Sequence, residues 1–367
     1  FIDITCFHES RFFIKNKSLF NLIWIEIENF LNEQIKDYNL EELKKFNING
    51  NKVDKKKLLK YFKENSTFLV YYQIKLYVFS KKFSNSRECI FFIKSNPFNN
   101  ELKKFYNINI INYFDFTFFY KKRIDGYFYE NFLTIYLYTR LKIVQNIFFS
   151  INQFILGFLC KKDRSSEKKI FIEVHQREIN LNSITDLFWL KNSKLKKNSI
   201  AILYKDYDQN SINELSKNNI NYKYSHKLHV SKKMFKNLIR YYLLIFINLL
   251  NFNLKNFKKI MMYFYFIKTS YWYEVFKNEN AKIFFTMIDV DEDKFCKINA
   301  IELNRGLSIT SHWSNFPFFL NRNNKAANVI LSWGDHFKKF ILTNENYNKI
   351  YNIGYPNDHY FNNIEKK

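Results

Sequence analysis

Residues 282–289 read KIFFTMID, 307–313 LSITSHW, 328–334 NVILSWG and 349–356 KIYNIGYP. Each is a short apolar run of strand length that closes in a polar or glycine-bearing turn. DEDKFCKINAIELNRG (291–306) and HFKKFILTNENY (336–347) lie between them with the spacing of helices. Strands that alternate with helices at this interval predict parallel pairing, because a parallel neighbour is reached only through a crossover. The same rhythm runs earlier, with strands in KIFIEVHQ (169–176) and SIAILYKDY (199–207) and helices in NSITDLFWL (182–190) and QNSINELSKNN (209–219). A long helical region from about Ser231 to Asn278 divides the two runs. The expected fold class is α/β, a Rossmann-like parallel sheet with flanking helices.

Upstream, residues 1–85 read as a basic, α-rich region, with LEELKKF (40–46) and the long KKLLKYFKENSTFLVYYQIKLYVFSKKF (56–83) on either side of a turn at Gly50. Residues 86–356 read as the Rossmann-like domain with long helical insertions. It opens on strands in ECIFFIKSNPF (88–98) and NINIINYF (107–114), continues through an apolar helical stretch to Gly157, and crosses the charged linker KKDRSSEKK (161–169).

The 367 residues include 43 Phe and 26 Tyr but only 6 Gly and 3 Pro. The aromatic, Asn and Lys bias pervades every region, so the rare residues carry the information. A retained Gly or Pro answers a backbone need, positive φ or locked φ. A formal net charge of +24 suits nucleic acid, anionic lipid or a phosphorylated substrate, or simply a solvated lysine-rich surface. No RNP-like motif, zinc-finger spacing or arginine cluster supports specific nucleic-acid recognition. Cys6, Cys89, Cys160 and Cys296 are far apart with no CxxC pair, as expected of reduced thiols in a cytoplasmic protein. No run reaches the length of a membrane-spanning helix. NIFFSINQFILGFLC (146–160), and YYLLIFINLLNF (241–252) with the basic NLKNFKKIMMYFYF (253–266) after it, read as buried helices in preference to helices lying on a membrane.

In an open parallel sheet, ligands gather beyond the carboxyl ends of the strands. Four strand ends carry the candidate chemistry: Asp289; Ser311 to Asn315; Ser332 to His336; and Gly354 to Asp358. His312 follows a strand directly and is the first choice for a general base on an acceptor hydroxyl, with Asp289 a second catalytic candidate and His336 a lesser one. Trp313, Ser314, Asn315, Ser332, Gly334, His336 and Gly354 are the expected substrate contacts. Gly334 sits where a helix start can approach an anion. Asp291 and Asp335 suit helix caps, and Gly306 the end of a helix. DVDED (289–293) either complements a helix dipole or holds a divalent ion through Asp289 and Asp291. His226 and His229 in SHKLHV have no carboxylate or thiol company, so no metal site is expected there.

TSHWSNF (310–316), ILSWGDHF (330–337) and GYPND (354–358) together resemble the end of the first domain of GT-B glycosyltransferases, above all the branch of CDP-glycerol glycerophosphotransferases and capsule polysaccharide transferases. That branch typically reads T-W-H-G and G-Y-P-R-x-D; here Trp313 follows His312 and Asn357 stands at the arginine. IFIEVHQREINLNSITDLFWL (170–190) resembles surface-polysaccharide enzymes around Glu173, Asp186 and Trp189.

The resemblance implies an acceptor-side domain of a two-domain transferase, with Gly354 and Pro356 forming the exit turn and residues 357–367 the start of the connection toward a donor domain beyond this chain. The reaction implied is transfer of a sugar or polyol phosphate from a nucleotide-sugar or CDP-polyol donor to a glycan or lipid-linked acceptor in surface polysaccharide, lipopolysaccharide or teichoic-acid-like synthesis. No cofactor or metal is implied, and peripheral contact at the inner face of the membrane fits lipid-linked acceptors. Two alternatives stand beside it: a GT-A-like, metal-dependent transferase on Asp289 and Asp291, and a non-enzymatic basic module that binds membrane or nucleic acid.

Overall fold

The computed structural model describes residues 13–14, 17–36, 38, 46–48, 50–83, 90–94, 96–113, 123–124, 127–128, 135–160, 168–174, 190, 193–204, 209–225, 228–286, 293–311, 327–332, 334–335 and 349–354. Its helices are α1 (Leu19–Lys36), α2 (Lys55–Phe83), α3 (Asn99–Tyr106), α4 (Ile135–Leu159), α5 (Gln209–Lys217), α6 (Lys232–Leu250), α7 (Leu254–Asn278) and α8 (Lys294–Leu303). The chain forms two compact units from interleaved stretches: Phe1–Leu40, Phe62–Phe149 and Tyr241–Tyr263 in one, and Glu41–Tyr61, Ser150–Arg240 and Phe264–Lys367 in the other.

The second unit holds a seven-stranded sheet, numbered along the chain as β1 (Lys169–Glu173), β2 (Ile200–Tyr204), β3 (Asn221–Tyr224), β4 (Ala281–Thr286), β5 (Leu307–Ser311), β6 (Val329–Ser332) and β7 (Lys349–Asn352). All six pairings are parallel, and the spatial order is 3-2-1-4-5-6-7. This is the doubly wound Rossmann order carried one strand further. The α/β, Rossmann-like expectation therefore holds. β3 is the strand that the apolar pattern misses. It is a sheet-edge strand of sequence NYKY with no fully buried residue, so no apolar run marks it.

The inner strands are apolar on both faces because both faces are covered. On one face Ile172, Ile200, Ile202 and Phe285 pack with Leu190, Leu215 and Ile220. On the other, α7 closes over Phe171 and Phe284, with Phe276 at 5.8 Å and 5.5 Å between ring centres. Burial of each such ring contributes about 1.5–3 kcal/mol. α7 is apolar nearly all round and is buried accordingly. The end of α8 is a Schellman turn: Gly306 N–H bonds Ile301 C=O and Arg305 N–H bonds Glu302 C=O, both at 2.9 Å. Gly306 is structural, as expected, but the left-handed residue is Arg305 at φ 56°. Glycine is needed one place later because a Cβ at 306 would lie 2.8 Å from the carbonyl oxygen of Lys282.

In the first unit α1 buries Ile23, Ile27, Phe30 and Leu31, one helical stripe. Phe98 sits edge-on to Phe30 at 6.0 Å and to Phe257 at 5.8 Å, fixed by Asn96, whose Oδ1 accepts the Phe98 N–H at 2.7 Å. Strands Ile90–Lys94 and Asn109–Tyr113 are both foreseen in sequence and flank α3 as a parallel pair. They pair with each other and not with the seven-stranded sheet.

Candidate functional site

The strand order reverses between β1 and β4, since the chain builds β2 and β3 to one side and then crosses to build β4 to β7 on the other. That switch point is where sheets of this class open a crevice at their carboxyl edge. Glu173 ends β1 and Thr286 ends β4, and they are register partners; Thr286 is in turn the partner of Thr310 on β5. All three are buried, so a polar row of one carboxylate and two hydroxyls crosses three adjacent strands at their carboxyl ends.

α8 lies against β4 and β5, and its side chains complete this row from above. Lys297, only 3% exposed, donates from Nζ to Glu173 Oε1. Its ammonium also lies 4.8 Å from the ring centre of Trp272 on α7. A buried ion pair persists only where further contacts offset its desolvation, and the tryptophan face supplies one of them. One turn back, Lys268 on α7 donates to Asp293, the residue before α8. Burial pulls the Lys268 ammonium down, but the Asp293 carboxylate outweighs it and leaves Lys268 well above its ordinary value. The last acid of DVDED is thus engaged by a lysine and makes no side-chain cap.

β6 and β7 extend the edge. Ser332 is fully buried, and its hydroxyl donates to Gly334 C=O at 3.0 Å, so this residue shapes the turn from within. Gly334 is not left-handed, and a Cβ built there meets nothing within 4 Å among the described residues. Among the described residues no neighbour demands glycine at 334. Gly354 does need its freedom, at φ 74°. Asn352 Nδ2 donates to Asp335 Oδ1, joining the end of β7 to the turn after β6.

The structure therefore brings Ser332, Gly334 and Gly354 to neighbouring strand ends. Asp289, Asp291, His312, Trp313, Ser314, Asn315 and His336 lie outside the described residues, as do Asp186, Trp189 and His226. The strands that precede Asp289 and His312 end at Thr286 and Ser311 on the same edge. His229 has a structural contact, with Nδ1 2.8 Å from Cys160 C=O. Sequence reading missed Lys297 and Trp272. The eight residues from Lys294 to Ile301 are all buried, so no amphipathic pattern separates a site-facing lysine from a solvated one.

A second polar cluster ties the opposite, amino edge. Asp54 caps α2, accepting from Lys56 N–H at 2.7 Å. Lys57 Nζ bonds Asp54 Oδ2 at 3.0 Å and also Glu302 Oε2 near the end of α8. Glu302 Oε1 accepts from Ser308 Oγ of β5 at 2.6 Å, and Asn328 N–H donates to Ser308 Oγ at 2.8 Å just before β6. Burial pulls Lys57 down, yet the Glu302 and Asp54 carboxylates hold it above its ordinary value. Burial pushes Asp54 up, but the Lys57 charge and the backbone N–H groups of Lys56 and Lys57 leave it lowered. Comparison with family models, with curated proteins and with solved structures returns no match to this chain.

Proposed function

We propose that this chain is the acceptor-side domain of a GT-B-type transferase that passes a sugar or polyol phosphate from a nucleotide-activated donor to a glycan or lipid-linked acceptor of a surface polymer. One observation carries the reading. In the order 3-2-1-4-5-6-7, β4, β5, β6 and β7 are consecutive neighbours, so their carboxyl ends at 286, 311, 332 and 352 stand side by side. Asp289, His312, Gly334 and Gly354 follow those ends within three residues in sequence, and this is the edge where parallel sheets bind ligands.

In this reading the acceptor hydroxyl attacks as the donor phosphate leaves. His312 takes the hydroxyl proton, with Asp289 and His336 as further candidates. Trp313, Ser314 and Asn315 contact the acceptor, and Gly334, whose N–H leans on Ser332 Oγ at 3.4 Å, presents a backbone with no side chain to a donor phosphate. Ser332 acts by holding that turn. The Glu173–Lys297 pair keeps α8 seated at the switch point and so fixes one end of the segment 287–292 that contains Asp289. Positioning of this kind supplies much of the rate in a transfer that needs little covalent chemistry from the protein.

The test is kinetic, on the full-length protein with a panel of nucleotide-sugar and CDP-polyol donors. His312→Ala is expected to lower kcat/KM at least a hundredfold, the range of general-base catalysis. A loss within about threefold removes His312 from the mechanism. Release of no nucleotide from any donor in the panel removes the transferase reading.

A further inference from the structure

α6 has two apolar faces, and only one of them is covered. Leu238, Tyr241, Tyr242 and Ile245 are buried. Ile239, Leu243, Phe246, Ile247 and Leu250 are 42, 58, 41, 60 and 83% exposed. Their spacing, i, i+4, i+7, i+8 and i+11, places them on a single stripe over the last three turns. Traced back toward the start of the helix, that stripe runs into exposed Lys232 and Lys236, with Lys233 and Arg240 on its flank. The helix contains no Asp or Glu. No described helix is long and apolar enough to cross a membrane, so the stripe is not part of a spanning segment among the described residues.

We propose that the exposed stripe of α6 docks on an anionic lipid surface, with its basic first turns at the headgroups and Leu243, Phe246, Ile247 and Leu250 at the headgroup–acyl boundary. The division of one helical face into a basic end and an apolar end decides for this occupant. A nucleic acid would leave five exposed apolar side chains without a role. An anionic bilayer offers both chemistries at once, negative headgroups and an apolar layer a few ångströms below them. The chain's net charge of +24 favours approach to such a surface. The proposal is independent of the transferase reading, because lipid binding is measured with no donor or acceptor present.

The experiment is co-sedimentation of the full-length protein with phosphatidylcholine vesicles with and without phosphatidylserine, across a salt series. Binding is expected to the phosphatidylserine vesicles, weakening as salt rises. The double variant Leu243→Glu with Ile247→Glu is expected to lose at least tenfold in affinity with unchanged circular dichroism and thermal unfolding. Lys232→Gln with Lys236→Gln lowers affinity about fivefold per residue on anionic vesicles. Each of three outcomes overturns the proposal: the parent protein does not bind; the glutamate variant binds like the parent; or the parent is a dimer that the glutamate variant makes monomeric, which assigns the stripe to a second copy of this chain.

Discussion

The two edges of the seven-stranded sheet use the same chemistry in opposite ways. At the amino edge, Asp54, Lys57, Glu302, Ser308 and Asn328 form one continuous chain of contacts, and Gly306 is so closely packed that a Cβ would collide with backbone. At the carboxyl edge, one buried pair, Glu173 with Lys297, lies at the switch point, while glycines 334 and 354 have nothing within 4 Å of a Cβ among the described residues. α8 carries a member of each cluster, Lys297 and Glu302, five residues apart. The lesson is that ion pairing alone does not mark a site. What distinguishes the carboxyl edge is a fixed charge pair at the strand-order reversal, beside two glycines that no described residue crowds.

Breaking the carboxyl-edge pair is the largest expected effect. Lys297→Met leaves Glu173 buried without its cation and should cost about 3–5 kcal/mol in urea unfolding. Adding Glu173→Gln removes the stranded charge, and the double variant should recover most of that stability, since a neutral buried pair is often no worse than an ionic one. If the pair positions the site, the double variant regains stability without regaining transfer activity. Recovery of both would place this edge in the same structural class as the other and erase the contrast.

Next in size is Lys57→Met, expected to cost about 3 kcal/mol, the low end of that range, because the Asp54 side chain remains 37% exposed and is partly solvated. Here the double variant with Glu302→Gln should restore stability and leave activity at the parent level throughout. The cluster also fixes the direction of pH dependence. Lys57 titrates above its ordinary 10.5, so its stabilisation is complete below that pH and is lost as pH rises through the folded value. Asp54 titrates below its ordinary 3.8, so its stabilisation is present above that pH and is lost as pH falls through the folded value. Stability curves of the parent and Lys57→Met should therefore converge at both extremes of pH. Parallel curves would mean that Lys57 acts by packing its stem alone.

Gly306→Ala comes third, at about 2 kcal/mol, the usual range for overpacking a tight site. The added methyl meets Lys282 C=O and the Ile301 side chain, both at 2.8 Å. The effect should be on thermal stability with transfer kinetics intact. A neutral result would show that the Schellman turn yields easily and that the amino edge is looser than its contacts suggest.

The fold was legible where burial imposes a pattern. β1, β2 and β5 to β7 fall within the expected strands and β4 starts one residue before its own; the inner strands among them read as unbroken apolar runs because they are covered on both faces. Legibility failed where burial is one-sided or complete. β3 carries no apolar run, and α8 is buried all round, which hides the meaning of Lys297. The stretches 146–160 and 241–252 were read as buried helices, yet α4 keeps Phe148, Phe149 and Leu159 exposed and α6 keeps a whole apolar stripe exposed. Their composition matches that of α7; what composition lacks is which of two apolar faces finds a partner. The candidate site was legible as a set of strand ends, because topology alone puts them on one edge, but not as contacts, since Lys297, Trp272 and Glu173 come together from three separate elements.

The smallest expected effect falls at Gly354, the glycine of the GYP turn. Its φ of 74° is open to glycine and strained for alanine, whereas no described residue lies within 4 Å of an added Cβ, so the expected cost of Gly354→Ala is conformational. About 1 kcal/mol is expected, half the value at Gly306, where the obstacle is a backbone atom. The two substitutions make a matched test of the edges: the same added methyl meets packing at one and only a dihedral preference at the other. Chemical unfolding of both variants under one condition decides it. A Gly354→Ala cost equal to or above that of Gly306→Ala would mean that the carboxyl edge is as closed as the amino edge, and the case for a ligand there would lose its physical basis.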